Sequence, residues 1–569
     1  MNFEEILEYL GHFGSYQIVV YSLVCVPSVL VGIHIMASVF LMGIPKHRCF
    51  IKNCDNSLSE FEEPWFPYSI PKNDASGVKG FSQCFRFQKA TSTGNVSCLA
   101  TDFRNTTEKC SDWVWNKEEF QWTAVSEWNL VCEKSMFVAL SGSVFMVGIL
   151  VGALIFGALA DKVGRKRVFL FAPPLLVLSS VGTAFSPNYV VFILLRFITA
   201  AAVSGLFQTG YVVVVEAVGV SRRLWCANML QVVFAFGELL LALVAYFVRN
   251  WRTLELVIAG PTSLLLVYYW ILPESIRWYI SKEKFEKARR TIEKAALWNK
   301  VDMPDSVYTS KNTSFCDQDS KKPTAGIMDL LCNPCLRRRT LNIAFNWFVN
   351  SLVYYGLSMN AGNLGGDVYV NFVALAAVEI PAVILGTLIL SCVGRKTLLS
   401  AMLLLGGLCC VVNPFIPTAF AWAGTTLAVI GKSQIAVSFA VVYVYSAEIF
   451  PTVVRNAGIG FSSMCSRLGG ILAPIVANLG TFYEPLPMLI FGGTALTSGL
   501  LTLFLPETRD QDLPETIEDA ENFGSSIKQL PKKYFPDDES HTSKKLQEGT
   551  VSHNDSLFEN VDEHLDLLG

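Results

Sequence analysis

Charged side chains set inside long apolar stretches are the first residues of this chain that can do chemistry. Glu238, Glu379, Lys432 and Arg467 each stand within a run of about 20 mostly apolar residues, the length that crosses a hydrocarbon layer as a helix. An ionised group there costs about 2.5–3.5 kcal/mol on insertion scales, so such residues pair with one another or face a polar pathway. Lys432 and Arg467 can pair with Glu238 or Glu379, which is a structural role; left unpaired, the same groups can hold an organic ion. Arg196 opens the fourth run and is expected nearer the cytosol. His34 is the one histidine in these runs and is expected to be packed or pore-facing rather than catalytic. No HExxH or Walker sequence accompanies these residues, so the expectation is a protein that is not an enzyme and needs no cofactor. No residue set forms a recognisable sodium site, and sodium or proton coupling is left open.

The elements that must position these charges are the apolar runs themselves. Of 569 residues, 52% are hydrophobic and only 16% charged, with a mean hydropathy of +0.41. Soluble domains carry about 25% charged residues, so a bilayer is the simpler solvent. The net charge of −3 argues against a nucleic-acid partner. The N-terminus, MNFEEILEYLGHFG, lacks the basic start of a signal peptide, so the first apolar run is expected to stay. Runs near 18–42, 136–160, 168–186, 189–216, 225–248 and 253–273 are followed by six more near 340–360, 368–393, 397–417, 420–447, 457–481 and 487–505. The resulting division is an N-terminus at 1–17, a first span at 18–42, a hydrophilic loop at 43–135, and spans two to six across 136–273. A second loop at 274–339, spans seven to twelve across 340–506, and a tail at 507–569 complete it.

Sidedness follows from Lys and Arg in the short loops. Lys162, Arg165, Lys166 and Arg167, then Arg222 and Arg223, Arg395 and Lys396, and Arg455 share one side, which is read as cytosolic together with both termini. The opposite short loops are nearly empty of them; Arg249 and Arg252 are the two exceptions.

A repeat divides the chain in two. Gly164-Arg165-Lys166 recurs as Gly394-Arg395-Lys396, Glu216 before Arg222 recurs as Glu448 before Arg455, and Pro273-Glu274-Ser275 recurs as Pro506-Glu507-Thr508, at offsets of 230 to 233. Two parallel six-span halves resemble the major facilitator organisation, whose substrate site lies near the midplane between halves. The expected fold is therefore an all-α membrane protein of twelve transmembrane helices in two six-helix halves. Gly157 and Gly164 permit a tight helix–loop–helix, and Asp161, Arg165 and Lys166 can pair with charges or helix ends of the opposite half. With Glu216, Arg222, Glu448 and Arg455 they are the expected gating set. Ser391 stands where the second half would repeat Asp161.

The two long loops differ in chemistry. The first, extracellular by parity, holds Cys49, Cys54, Cys84, Cys98, Cys110 and Cys132, an even set that reads as three disulfides with 15 possible connectivities. Asn95 and Asn105 begin glycosylation sequons in the same stretch, whereas those at Asn312 and Asn554 fall on the other side and should be silent. The second loop is basic; SKEKFEKARRTIEKAALW places Phe285, Ala288, Ile292 and Ala295 on one helical face, expected to pack under the bundle and meet lipid headgroups. Cys332 and Cys335 lack a second pair and read as ordinary or palmitoylated cysteines, not a zinc site.

At this level of detail the chain resembles the organic cation, carnitine and organic anion transporters of the solute carriers. The resemblance rests on GALADKVGRKRV, PESIRW, SAEIFPTVVRN, PETR and the cysteine-containing loop ending in WNLVC, and it covers nearly everything up to about residue 520. GHFGSYQ, GIHIMASVF, NLGGDVYVN and YVYSAEIFPT are most similar to the carnitine members. The resemblance implies alternating access at the plasma membrane. It also implies a central site with aromatics at Phe207, Tyr211, Trp347, Tyr354 and Phe439, an amide at Gln231, a carboxylate at Glu379 and a basic group at Lys432. Simple cation carriers have an Asp where this chain has Arg467, as anion and carnitine carriers do. A guanidinium binds a carboxylate bidentately, and aromatic faces attract a quaternary ammonium by about 0.5–2 kcal/mol each. A zwitterion such as carnitine is thus expected, with organic anions, or a receptor that binds without translocating, as alternatives. The polar tail beyond about residue 510 is expected to be disordered; it ends with Glu563, Leu567 and Leu568 in the ExxxLL form of a clathrin-adaptor signal.

Overall fold

The computed structural model describes residues 3–56, 60–72, 80–89, 98–304, 327–364, 366–417, 420–511 and 513–523. The sequons at Asn95, Asn312 and Asn554 and the signal at Glu563, Leu567 and Leu568 lie outside the described residues.

Among the described residues, twelve long helices form the body of the molecule. The first six are α1 (Ser15–Met36), α2 (Ser135–Val163), α3 (Arg165–Ala184), α4 (Tyr189–Ala217), α5 (Val220–Phe247) and α6 (Trp251–Ile271). The second six are α7 (Pro334–Met359), α8 (Val368–Cys392), α9 (Arg395–Val412), α10 (Ala421–Ile449), α11 (Arg455–Asn478) and α12 (Leu486–Thr502). Ten helices among the described residues are long and apolar enough to cross a membrane. α12 is apolar but only 17 residues long, and α7 begins with the polar run PCLRRRT, which lowers its mean hydropathy.

Small residues let the backbones approach, as expected where lipid removes any hydrophobic drive between helices. A Cβ on Gly152 would strike Ala201 of α4, and one on Gly469 of α11 would strike Phe348 of α7. The halves touch through α2 against α11 and α5 against α8. Ser143 donates to the Ile471 carbonyl at 2.8 Å, and Asn228 donates to Thr387 at 3.1 Å.

One end of the bundle carries a cap, residues 43–134. Antiparallel β1 (His47–Cys49) and β4 (Trp113–Trp115) pair in the register His47–Trp115; β2 (Phe85–Lys89) pairs with β3 (Phe103–Lys109) in the register Phe85–Lys109. The six cysteines pair as Cys49–Cys110, Cys54–Cys98 and Cys84–Cys132, one connectivity of the fifteen. Each closes a loop of 44 to 61 residues, a constraint worth about 4 kcal/mol in the chain-entropy picture. Buried Arg48 forms a hub: it binds Asp55 through both terminal nitrogens at 2.7 and 2.8 Å and donates to the Phe61, Glu60 and Cys49 carbonyls. Asn105 lies exposed on β3.

The opposite end is basic. A helix at Phe285–Asn299 packs there, its Ala288, Ile292, Ala295 and Ala296 buried. Phe285 departs from the expected face and is 50% exposed, because it is the first residue of the helix and projects past the protein it covers. Asn299 anchors this helix to the N-terminus, donating to the Leu10 carbonyl and accepting from the Tyr16 amide, each at 2.8 Å. The N-terminus itself forms a helix at Phe3–Leu10. Cys332 is exposed and Cys335 half-buried, both unpaired.

Candidate functional site

Glu379 owes its position to a kink in α8. The helix runs Val368–Ala377, turns at Val378 and resumes at Glu379–Cys392. Pro381 explains the kink, since it has no N–H for the Ala377 carbonyl and its ring crowds that turn. Val378 keeps helical dihedrals, its amide still donates to the Ala374 carbonyl and the Ala382 amide to the Val378 carbonyl, each at 3.2 Å, so α8 is kinked here and Glu379 sits at the kink.

Three fully buried ionisable groups meet at this kink. Lys432 Nζ of α10 lies 2.6 Å from Glu379 and 3.3 Å from Glu238 of α5, in the opposite half. The Tyr354 hydroxyl of α7 is 3.2 Å from Glu238 and 3.0 Å from Glu379, so its single proton serves one carboxylate at a time. The ammonium also sits 5.1 Å from the Tyr354 ring centroid. Two carboxylates and one ammonium leave a net negative pole when all are ionised, and they join the halves through a charge pair.

Arg467 does not enter this cluster. Its guanidinium is half-buried on α11 and donates to the carbonyl of Ser463 at 2.9 Å and to the Ser463 hydroxyl. Its Nε is buried with no hydrogen-bond partner, and it makes no ion pair among the described residues. Tyr355, beside Tyr354 on α7, meets its ring edge-on at 5.4 Å. The pairing open to both bases goes to Lys432 alone, whose flexible stem reaches the kink in α8, whereas Arg467 folds back onto its own helix.

The aromatics gather unevenly. Trp347, Phe439 and Tyr443 form one cluster, with Trp347–Tyr443 centroids 4.2 Å apart, and Tyr354 joins through Phe439 at 6.1 Å. Tyr211 meets Tyr443 across the halves at 6.5 Å, whereas Phe207 packs on Phe234 within its own half. Trp347 is fully buried and donates to Ser446 at 2.8 Å, which makes it a wall behind the site. Phe207, Tyr211, Gln231, Phe439 and Arg467 are each partly exposed. Tyr443 lies deep in the bundle yet keeps 37% of its surface exposed, which marks open space between the halves. Neither Tyr443 nor Tyr355 stands out in the sequence, where a tyrosine in a helix looks like ordinary packing.

Two more expected residues sit elsewhere. Arg196 is two turns from the cap end rather than the basic end, because α4 starts at the cap side. It donates to Ser38 at 2.5 Å, lies 4.0 Å from Glu255 and covers the Phe145 ring at 4.3 Å. His34 is fully buried and bonded to Thr262 at 3.0 Å.

At the basic end the repeat becomes geometry. Arg165 opens α3 and binds Glu216 at 3.0 Å; Arg395 opens α9 and binds Glu448 at 3.1 Å. Glu274 accepts from the Arg165 and Lys166 amides at 2.8 and 3.2 Å, and Glu507 does so from Arg395 and Lys396 at 2.7 and 3.4 Å. Each carboxylate caps the positive start of a helix. Burial pushes the Glu274 carboxyl above its usual range, against the pull of the amides of Lys166, Ser275 and Arg165. A Cβ on Gly164 or Gly394 would collide with the capping carboxylate, and Gly164 also has φ of 114°. These partners lie within one half, not across to the other as the sequence suggests, because α3 and α9 begin beside the ends of α4 and α10. Asp161 pairs with Arg165 at 3.0 Å but is largely exposed, a contact worth about 0.2–1 kcal/mol. Arg222 is exposed, Arg455 bonds the Phe450 carbonyl at 3.3 Å, and Gly157 faces Gln208.

Three comparisons bear on this geometry. The family model described as "Sugar (and other) transporter" matches residues 85–519. A Drosophila melanogaster "Organic cation transporter protein" is 40% identical over 530 residues, covering 92% of this chain and 95% of that protein. Human "Solute carrier family 22 member 13" is 36% identical over 91% of this chain and 93% of its own, and rat "Organic cation/carnitine transporter 2" is 35% identical with the same coverage. Among solved structures, the partially occluded inward-open xylose transporter XylE from E. coli aligns with a TM-score of 0.56 at 14% identity, over 88% of this chain and 100% of that one. The likeness to XylE is one of fold.

Proposed function

The chain belongs to the sugar (and other) transporter family, in its solute carrier 22 branch of organic cation, carnitine and organic anion transporters, and from that premise we propose that it carries a small zwitterion of the carnitine type. It is a multi-pass membrane transporter of the major facilitator fold, and its substrates are small organic molecules. One observation supports the zwitterion: the interior holds both a buried trio with two acids to one base, Glu238, Glu379 and Lys432, and an Arg467 that makes no ion pair among the described residues. A quaternary ammonium would meet the negative pole and the faces of Tyr354, Phe439, Tyr443 and Tyr211. A carboxylate would bond to the part-exposed guanidinium of Arg467, whose buried Nε has no hydrogen-bond partner, a charge-assisted bond worth about 1.5–3 kcal/mol. Trp347 would support that wall, and Phe207 and Gln231 would line the first-half side.

The remaining assignments belong to the same reading. The basic end faces the cytosol with both termini, the cap is extracellular with Asn105 glycosylated, and the membrane is the plasma membrane. The networks at Arg165–Glu216 and Arg395–Glu448 hold each half rigid at the cytosolic gate while the halves rock. A second reading has support too: the carboxylates are already engaged by Lys432 and Tyr354, so Arg467 alone would favour a simple organic anion. Uptake into proteoliposomes of carnitine, a tetraalkylammonium and a dicarboxylate, with and without sodium, separates the two. Carnitine preferred over both is the expected result; a dicarboxylate preferred over carnitine would replace the zwitterion with the anion.

A further inference from the structure

Arg249 and Arg252 are the two basic residues on the side of the membrane where the charge rule leaves few. Both hold the cap, in different ways. Arg252 makes a fixed clamp: it grips Glu127 of the cap through Nη2 at 2.5 Å and Nε at 3.2 Å, and donates to the Ala184 and Ser186 carbonyls of its own half. Trp251 and Trp122 donate to the same carboxylate at 2.9 and 3.2 Å. Glu127 thus rivets the cap to the first half.

Arg249 is placed differently. Its Nη1 donates to the Glu118 carbonyl at 2.5 Å, and its own carbonyl accepts from the Gln121 and Trp122 amides at 3.2 and 3.3 Å. Its guanidinium lies between two rings, 5.1 Å from Tyr246 of α5 and 5.7 Å from Tyr369 of α8, the second across the boundary between halves. Tyr369 in turn donates to the Glu119 carbonyl at 2.9 Å and stacks on Phe40 of the first half at 5.4 Å. Cap residues 118–122, Arg249 and Tyr369 therefore close one ring of contacts over the α5–α8 seam, while Ser143 and Ile471 join α2 to α11, the other pair of helices through which the halves touch.

We propose that Arg249 and Tyr369 form a latch that keeps the cap end of the transport path closed, with the cap as a rigid arm of the first half. Opening that end moves α8 from α5, which separates Arg249 from Tyr369 and breaks the Tyr369–Glu119 bond. The Arg252–Glu127 clamp lies on one side of the seam and stays intact. The proposal rests on alternating access by the two halves, as in the function proposed above.

A reporter cysteine at Ser143, in the closed contact, reads the opening through its alkylation by a membrane-impermeant maleimide in sealed vesicles. Tyr369→Phe removes one hydrogen bond and should speed alkylation about two- to tenfold. Arg249→Gln should do so about two- to fivefold through the lost cation–π contacts. Arg252→Gln should leave the rate unchanged. An unchanged rate in both latch variants, or an equal rise in Arg252→Gln, overturns the latch. As a converse arm, Arg249→Cys with Tyr369→Cys bridged by a short bis-methanethiosulfonate should stop carnitine uptake, and reduction should restore it. Uptake that continues with the bridge complete overturns the latch while leaving carnitine transport standing. Absent uptake before bridging, together with absent binding, would overturn both.

Discussion

Lys432→Gln is the perturbation whose size follows most directly from the geometry. The ammonium lies 2.6 Å from Glu379 and 3.3 Å from Glu238, with all three groups fully buried. At an effective dielectric of about 20 those separations correspond to attractions of about 6 and about 5 kcal/mol. The full sum is not lost, because a carboxylate left alone in the interior takes up a proton instead. Neutralising one costs about 1.4 kcal/mol per pH unit above its ordinary value, hence about 4 kcal/mol at pH 7. Breaking a buried pair at one partner costs about 3–5 kcal/mol, and the two routes agree. For a chain this long, roughly 1–2 °C accompany each kcal/mol, so thermal unfolding in detergent should come about 3–10 °C earlier. Lys432→Gln combined with Glu379→Gln restores the charge count and should recover at least half of the loss. A single variant as stable as wild type, or a double variant no better than the single, would refute a trio held together by Lys432.

Three further outcomes follow. Gly164→Ala places a methyl group against the Glu274 carboxylate at a φ of 114°; it should cost about 1–3 kcal/mol and cut uptake by at least about tenfold, measured at equal surface expression. Arg48→Ala leaves buried Asp55 unpaired and should destabilise the cap by about 3–5 kcal/mol, seen as faster proteolysis within residues 43–134 while the bundle stays intact. Burial alone would raise the Glu127 carboxyl, but hydrogen bonds from Arg252, Trp251 and Trp122 outweigh it and hold it below its ordinary value of 4.5. Its contribution is complete above 4.5 and is lost as pH falls through the lower folded value, so hydrogen exchange in residues 118–128 should quicken below about pH 4.5 in wild type and not in Glu127→Gln.

Much of the fold is written in period and charge. Gly164-Arg165-Lys166 and Gly394-Arg395-Lys396 announce two equivalent helix starts, and the same carboxylate cap closes over both. What they cannot show is which helix end lies nearest, so a partner in the same half looks no different from one in the other. The buried charges were legible because lipid makes any intramembrane charge conspicuous. Their pairing was not, since Lys432 and Arg467 are equivalent as charges and differ only in where their helices point them. The kink at Glu379 had a signal in Pro381 two residues on, a proline inside a span. Arg196 shows that a position within a run says nothing of depth until the direction of the chain through the membrane is followed. Tyr443 and Tyr355 carried no signal at all, because exposure deep in a bundle is a property of packing between halves.

The charge of residue 467 tests the zwitterion site most directly. Carnitine and tetraalkylammonium uptake should be compared in proteoliposomes of wild type and Arg467→Asp at matched protein. Loss of one charge-assisted pair should lower carnitine uptake efficiency by roughly 10- to 100-fold, and the added carboxylate should raise that of the tetraalkylammonium. Carnitine transport that survives Arg467→Asp unchanged, with no gain for the simple cation, would contradict a carboxylate bound at Arg467.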